Sequence, residues 1–168
     1  ICAVANVLKL MQPYILDKIV TKDNQIVFQN SPKLVRQVIS ESTSAIMTDI
    51  LVGVVNEGTG RRAQIPGIKV AGKTGTAQKI DPKTGTYSEK DFIVSFVAYA
   101  PADNPKIAVL VVIDSPIAEV VQGGTLAGPY SKKSIENSLQ YYGIPVAADT
   151  QSYLNNLNSS NYQEGLMK

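Results

Sequence analysis

Two apolar runs, residues 92–100 and 107–113, are separated by little more than Pro101-Ala102-Asp103-Asn104-Pro105. Both runs are rich in β-branched and aromatic residues and read as strands. The two prolines around Asp-Asn make the connection a tight turn. A parallel crossover needs about a dozen residues or more, usually a helix, so this connection is too short for one. The two strands must therefore pair antiparallel, and a doubly wound parallel core is excluded. The second run is expected to be a buried, central strand ending at Asp114.

That constraint bears on the most informative stretch of the chain, residues 67–79. Read from Gly67 it matches G-x-x-x-x-G-K-T, with Lys73 and Thr74 completing a phosphate-binding loop; Asp114 after an apolar run would then be the Mg²⁺-holding acid. Read from Lys73 it is Lys73-Thr74-Gly75-Thr76, a cation and two hydroxyls around a glycine. A phosphate loop must follow a buried strand and open a helix, because the phosphates sit on first-turn N–H groups. Here residues 56–66 are polar and glycine-containing, and after Gly75 the chain meets Asp81-Pro82-Lys83-Thr84-Gly85 without a helical apolar period. The apolar residues instead flank the lysine, and the pattern predicts one strand over 68–80. On such a strand Lys73 and Gly75 share one face and Thr74 and Thr76 the other. Gly75 lets another backbone approach, an extended peptide can pair with the edge, and the hydroxyls can donate to a carboxylate. A polar edge strand without a ligand and a P-loop nucleotide module are the competing readings.

Val70-Ala71-Gly72-Lys73-Thr74-Gly75-Thr76-Ala77 resembles the third active-site motif of penicillin-binding proteins, particularly the class B transpeptidases. Three further blocks resemble the family in the same order: Glu57-Gly58-Thr59-Gly60, Ser95-Phe96-Val97-Ala98-Tyr99-Ala100-Pro101, and Gly123-Gly124 with Ala127-Gly128-Pro129. K-T-G alone is weak; the ordered set is specific. A D,D-carboxypeptidase or a β-lactamase shares K-T-G, and the surrounding blocks favour the transpeptidases. Where the family usually has two glycines after Ala5-Asn6, this chain has Val7-Leu8. No serine is followed by a lysine three positions on, and the S-x-N at Ser159-Ser160-Asn161 lies downstream of K-T-G in a polar tail. The resemblance thus implies the C-terminal portion of a transpeptidase domain, lacking S-x-x-K and S-x-N and therefore the nucleophilic serine. It implies an α+β fold of the serine β-lactamase/transpeptidase type, an antiparallel sheet packed with helices. Residues 1–145 would belong to that domain and 146–168 would be a loosely held polar tail.

The chemistry so implied is acyl transfer through a serine ester, with D-Ala-D-Ala stem peptides of peptidoglycan as substrates and β-lactams as inhibitors. Lys73 would supply positive charge and a link to the missing S-x-N serine. Thr74 and Thr76 would hold the terminal carboxylate, Gly75 would let the substrate lie on the strand, and the backbone N–H of Thr76 would be one oxyanion donor. The partner that completes the site would be the N-terminal part of the same protein, and any membrane anchor would lie in that part. The implied location is the bacterial cell envelope, on the extracytoplasmic face of the cytoplasmic membrane, in elongation, division or sporulation. On this reading the chain alone is inactive.

Composition adds limits. Net charge is +2, which gives no case for nucleic acid. No histidine and one cysteine leave no complete metal site and imply no cofactor. Cys2, among apolar neighbours, is expected to be a small buried hydrophobe, with a ligand role shared with another segment as the lesser alternative. The longest apolar run is too short to span a bilayer. Residues 14–20 and 25–29 read as a hairpin. From Ser42 or Thr43 onward, Ile46, Met47, Ile50, Leu51, Val54 and Val55 fall at helical spacing, with Ser42 as the cap and Gly58 as the stop, and predict a core helix under a sheet. Arg61 and Arg62 occupy a loop and read as solvated in preference to contacting an anionic substrate. Residues 81–91 are expected to be a turn-rich excursion and 115–125 a loop. A last helix over 130–142 should turn Ile135, Leu139 and Tyr142 inward, with Pro129 in its first turn.

Overall fold

A strand pair joined by so short a turn has one way to fold, and it takes it. In the computed structural model, which describes residues 1–6 and 9–146, β6 (Tyr87–Ala100) and β7 (Ile107–Asp114) pair antiparallel from Ala100 opposite Ile107 to Ile93 opposite Asp114. Strand β5 (Ala71–Ile80) joins the other side of β6, with Ala71 opposite Tyr99, Gly75 opposite Ser95 and a bulge before Ile80. The order β5-β6-β7 makes β6 the central strand. Strand β7 is therefore an edge of the described sheet, against the expectation that it is central and fully buried. Its residues alternate: Ile107, Val109, Val111 and Ile113 pack on the core, while Leu110 and Val112 are 63% and 55% exposed. One face of β7 lies against α4 (Gly128–Tyr141), and among the described residues nothing covers the other.

The earlier part of the chain builds smaller units. Helix α1 (Cys2–Ala5) is followed by β1 (Lys9–Met11), β2 (Lys18–Val20), β3 (Ile26–Gln29) and β4 (Leu34–Gln37); β2 and β3 form the expected hairpin, and β1 pairs with β4, which periodicity had not indicated. Cys2 is exposed, not buried: α1 turns Val4 and Ala5 toward Leu51 and Tyr99, and Cys2, about half a turn from Val4, faces away. Residues 7–8 and the polar segment after Val146 lie outside the described residues; Val146 itself is buried in the core.

Helix α2 (Glu41–Asn56) begins earlier than the spacing suggests, because the cap is Ser40. The Ser40 hydroxyl accepts from the Thr43 N–H at 3.2 Å and also bonds the hydroxyls of Ser42 and Thr43. Only one face of α2 is a core face. Leu51 and Val55 are buried, but Ile46 and Ile50 are 62% and 55% exposed and Met47 is exposed too. The apolar stripe is wider than the one strand and short helix it packs against. A short 3-10 turn (Arg61–Ala63) and a bridge between Ile65 and Ile68 then lead into β5, which starts at Ala71 and not at Ile68. Gly67, at φ +77°, reverses the chain there.

On one face of β6, Phe96, Ala98 and Ala100 meet Ile135 and Leu139 of α4. On the other, Tyr99 packs on Leu51 and its hydroxyl bonds Thr48 at 2.8 Å. Burial pushes the Tyr99 phenol's pKa up, partly opposed by that bond. Helix α4 starts two residues before the predicted 130, with Pro129 in its first turn. Its inward stripe is completed by Ser131, which donates to the Phe96 carbonyl, and not by Tyr142, which follows the helix and is exposed. The excursion after β5 is shorter than expected, since β6 already begins at Tyr87 and extends the hairpin. No helix among the described residues is long and apolar enough to cross a membrane.

Because Ser40 and not Ser42 satisfies the α2 N-terminus, Ser40→Ala should cost about 1 kcal/mol of stability, the usual worth of a cap. Ser42→Ala should cost much less. Thermal unfolding of the two variants side by side checks the assignment.

Candidate active-site cleft

Strand β5 runs unbroken through Lys73-Thr74-Gly75-Thr76, opposite Val97, Phe96, Ser95 and Val94. No helix opens at Lys73, so the phosphate-loop reading of residues 67–74 fails on geometry. Asp114 also has another role. It sits at the far end of β7, where Lys79 bonds its Oδ1 at 2.7 Å and the Ser115 hydroxyl donates to the same oxygen. The hydrogen bond from Lys79 and that from Ser115 hold its carboxyl below the usual carboxylate range. Among the described residues β5 has a strand partner on one side only, leaving the other edge of its ladder open.

Thr74 and Thr76 share a face, as strand alternation requires, and both line a cleft of about 370 Å³. Thr59 enters from the loop after α2, and its hydroxyl lies 3.1 Å from that of Thr74. The opposite wall is Val121-Gln122-Gly123-Gly124, leading into the short helix α3 (Gly123–Leu126), where a loop was expected. The N–H of Gly123 donates to the Thr76 hydroxyl at 3.2 Å. Three blocks distant in sequence therefore meet in one cleft. Thr59 had no predicted role; its only signal was membership of the Glu57–Gly60 block. The cleft lining carries no ionisable side chain. Three hydroxyls and an amide face it, a set suited to receiving a carboxylate by hydrogen bonds.

Lys73 stands beside the cleft, not in it. Its ammonium donates to the Thr74 carbonyl at 3.0 Å and has no carboxylate partner among the described residues. The space a side chain at Gly75 would need is taken by the Ser95 hydroxyl. The close backbone approach expected at Gly75 is made by the chain itself. A Cβ on Gly123 would overlap the carbonyls of Gly75 and Ser95, and one on Gly124 would overlap the Thr59 carbonyl. Arg61 and Arg62 are exposed and line no part of this cleft.

The obstacles at Gly123 and Gly124 are backbone atoms, which cannot turn aside, whereas Ser95 can rotate about χ1. Gly123→Ala or Gly124→Ala should therefore destabilise by about 1–3 kcal/mol and lift α3 off β5. Gly75→Ala should cost less. Urea unfolding midpoints of the three variants give the order directly.

Residues 2–136 match the family model for the penicillin binding protein transpeptidase domain. Stage V sporulation protein D of Bacillus subtilis is 43% identical over 139 residues, covering 80% of this chain and 21% of that protein. Among solved structures, the D,D-transpeptidase domain of a peptidoglycan glycosyltransferase from Eggerthella lenta superposes with a TM-score of 0.73 at 34% identity, over 85% of this chain and 31% of that one. Penicillin binding protein 3 of Mycobacterium tuberculosis, complexed with aztreonam, gives a TM-score of 0.75 at 28% identity, over 86% of this chain and 34% of that one. The chain thus spans about a fifth to a third of the length of these relatives. Fold, ordered blocks and family model agree, and the chain belongs to the penicillin binding protein transpeptidase domain family.

Proposed function

We propose that this chain is the substrate-binding part of a peptidoglycan D,D-transpeptidase, completed by a further part of the same protein that carries the nucleophilic serine. The observation that supports this most is the meeting of Thr59, Thr74 and Thr76 in one cleft beside the open edge of β5. A stem peptide would lie along that edge with its terminal D-Ala carboxylate in the cleft, held by the Thr74 and Thr76 hydroxyls. Lys73, which has no acid partner among the described residues, would add the attracting charge and reach the S-x-N serine of the completing part.

In the reaction the serine oxygen bonds to the carbonyl carbon of the penultimate D-Ala. The terminal D-Ala leaves as its amine, taking a proton. An amine of a second stem peptide then attacks the ester and restores the serine. The Thr76 N–H would stabilise the oxyanion in both steps, and Gly75 would keep the strand flat under the substrate. A β-lactam would enter as the substrate does and stop at the ester. The uncovered apolar side chains of α2 and β7 fit a chain that packs against further protein. A peptidoglycan substrate supports a location in the bacterial cell envelope, on the extracytoplasmic face of the cytoplasmic membrane, where that substrate would be met.

In the whole protein, Lys73→Ala or Thr74→Val should lower the rate of acylation by a fluorescent penicillin by about 10²-fold, with the unfolding midpoint little changed. The isolated chain should take up no penicillin mass. Full-rate acylation of the Thr74→Val variant, or an adduct on the isolated chain, would overturn the assignment.

A further inference from the structure

A larger groove lies elsewhere on the molecule and shares no lining residue with the cleft. It has a volume of about 650 Å³ and runs between the end of α2, the turn at Arg61–Ala63, the segment leading into β5, and α4. Its side chains include Arg61, Arg62, Lys69 and Lys132, and no carboxylate. Among the described residues Glu136 is the one acid paired with any of them, 3.8 Å from Lys132. In a chain whose net charge is only +2, this is a local concentration of one sign.

Two features make the groove more than a solvated basic surface. The arginines are held without being neutralised: Arg61 donates to the Glu57 carbonyl at 2.7 Å and Arg62 to the Thr125 carbonyl at 3.5 Å. Each guanidinium spends one nitrogen on a neutral acceptor and keeps the rest of its fork and its full charge. The apolar wall beside them, Val55, Ile65 and Val70, is buried core. A low-dielectric wall under like charges concentrates their field into the groove.

We propose that this groove binds an anion carrying two or more phosphate groups, either free in solution or presented as phosphodiester headgroups on a lipid surface. One monovalent anion would leave most of the charge and most of the volume unused. Planar guanidinium forks match phosphate oxygens two at a time, and Lys69 and Lys132 add point charges on the other side. The site is separate from acyl transfer and stands whether or not the transpeptidase reading holds.

Titration calorimetry of the whole protein with sodium tripolyphosphate tests it. Binding should be seen at low ionic strength and should weaken as salt is added. Arg61→Gln and Lys69→Gln should each weaken it by about tenfold or more, the worth of one charge-assisted hydrogen bond. Lys22→Gln and Lys33→Gln remove the same charge away from the groove and should leave it unchanged. Thermal unfolding midpoints of all four variants should equal wild type, which reports an intact fold independently of the acylation test. Sedimentation with phosphatidylglycerol vesicles separates the two sources: binding lost in the groove variants assigns the headgroup, and no binding assigns the free anion. Absence of tripolyphosphate binding, or equal loss in groove and control variants, would overturn the proposal.

Discussion

Everything at the cleft depends on backbone meeting backbone where α3 lies across β5 and β6. Gly123 sits against the carbonyls of Gly75 and Ser95, and Gly124 against that of Thr59. Side chains could not bring these segments so close, and a hydroxyl group at Thr76 could not otherwise reach the Gly123 N–H. The contact joins the middle of a strand, the loop after a helix and the start of another helix. It sets the width of the cleft and the direction of its three hydroxyls together. The sheet beneath is held by ladder bonds and by the packing of Phe96, Ala98 and Ala100 on α4, so the close approach rests on a stiff floor.

Local chemistry explains what was readable in advance. The length of the 101–105 turn dictated the antiparallel pair. The apolar residues flanking Lys73 told a strand from a phosphate loop, and alternation placed Thr74 and Thr76 together. The ordered blocks carried the family. What was not readable depended on coverage from outside each element. Ile46 and Ile50 have the same spacing as buried residues, and Leu110 and Val112 lie in a run that looks fully apolar; only the packed structure reveals which side has a neighbour. Cys2 looked buried for the same reason. Thr59 was invisible as a site residue because its role arises from a contact fifteen positions away in sequence. The cap at Ser40 was missed because three hydroxyl residues in a row of four compete for the same amides, and sequence does not rank them.

Charge is distributed unevenly despite its small sum. Around the cleft the protein offers hydroxyls and one amide, with Lys73 to the side. Around the larger groove it offers four cations over apolar floor residues. The first arrangement is directional, since fixed hydroxyls offer their hydrogen bonds along set lines. The second concentrates charge of one sign, two planar guanidinium forks and two lysine point charges lining one groove. Arginines that look like ordinary solvated residues in sequence become neighbours of Lys69 and Lys132 only after α2, β5 and α4 have packed.

Ser95 and Gly75 occupy one volume between them. The hydroxyl at 95 fills the place where a side chain at 75 would stand, directly opposite on the paired strand. The two positions are therefore not independent letters of the sequence. Substitutions at one change what the other must do: a side chain added at 75 requires the Ser95 hydroxyl to turn away, and a bulkier residue at 95 requires position 75 to stay bare. The link between them is a single torsion angle on a serine.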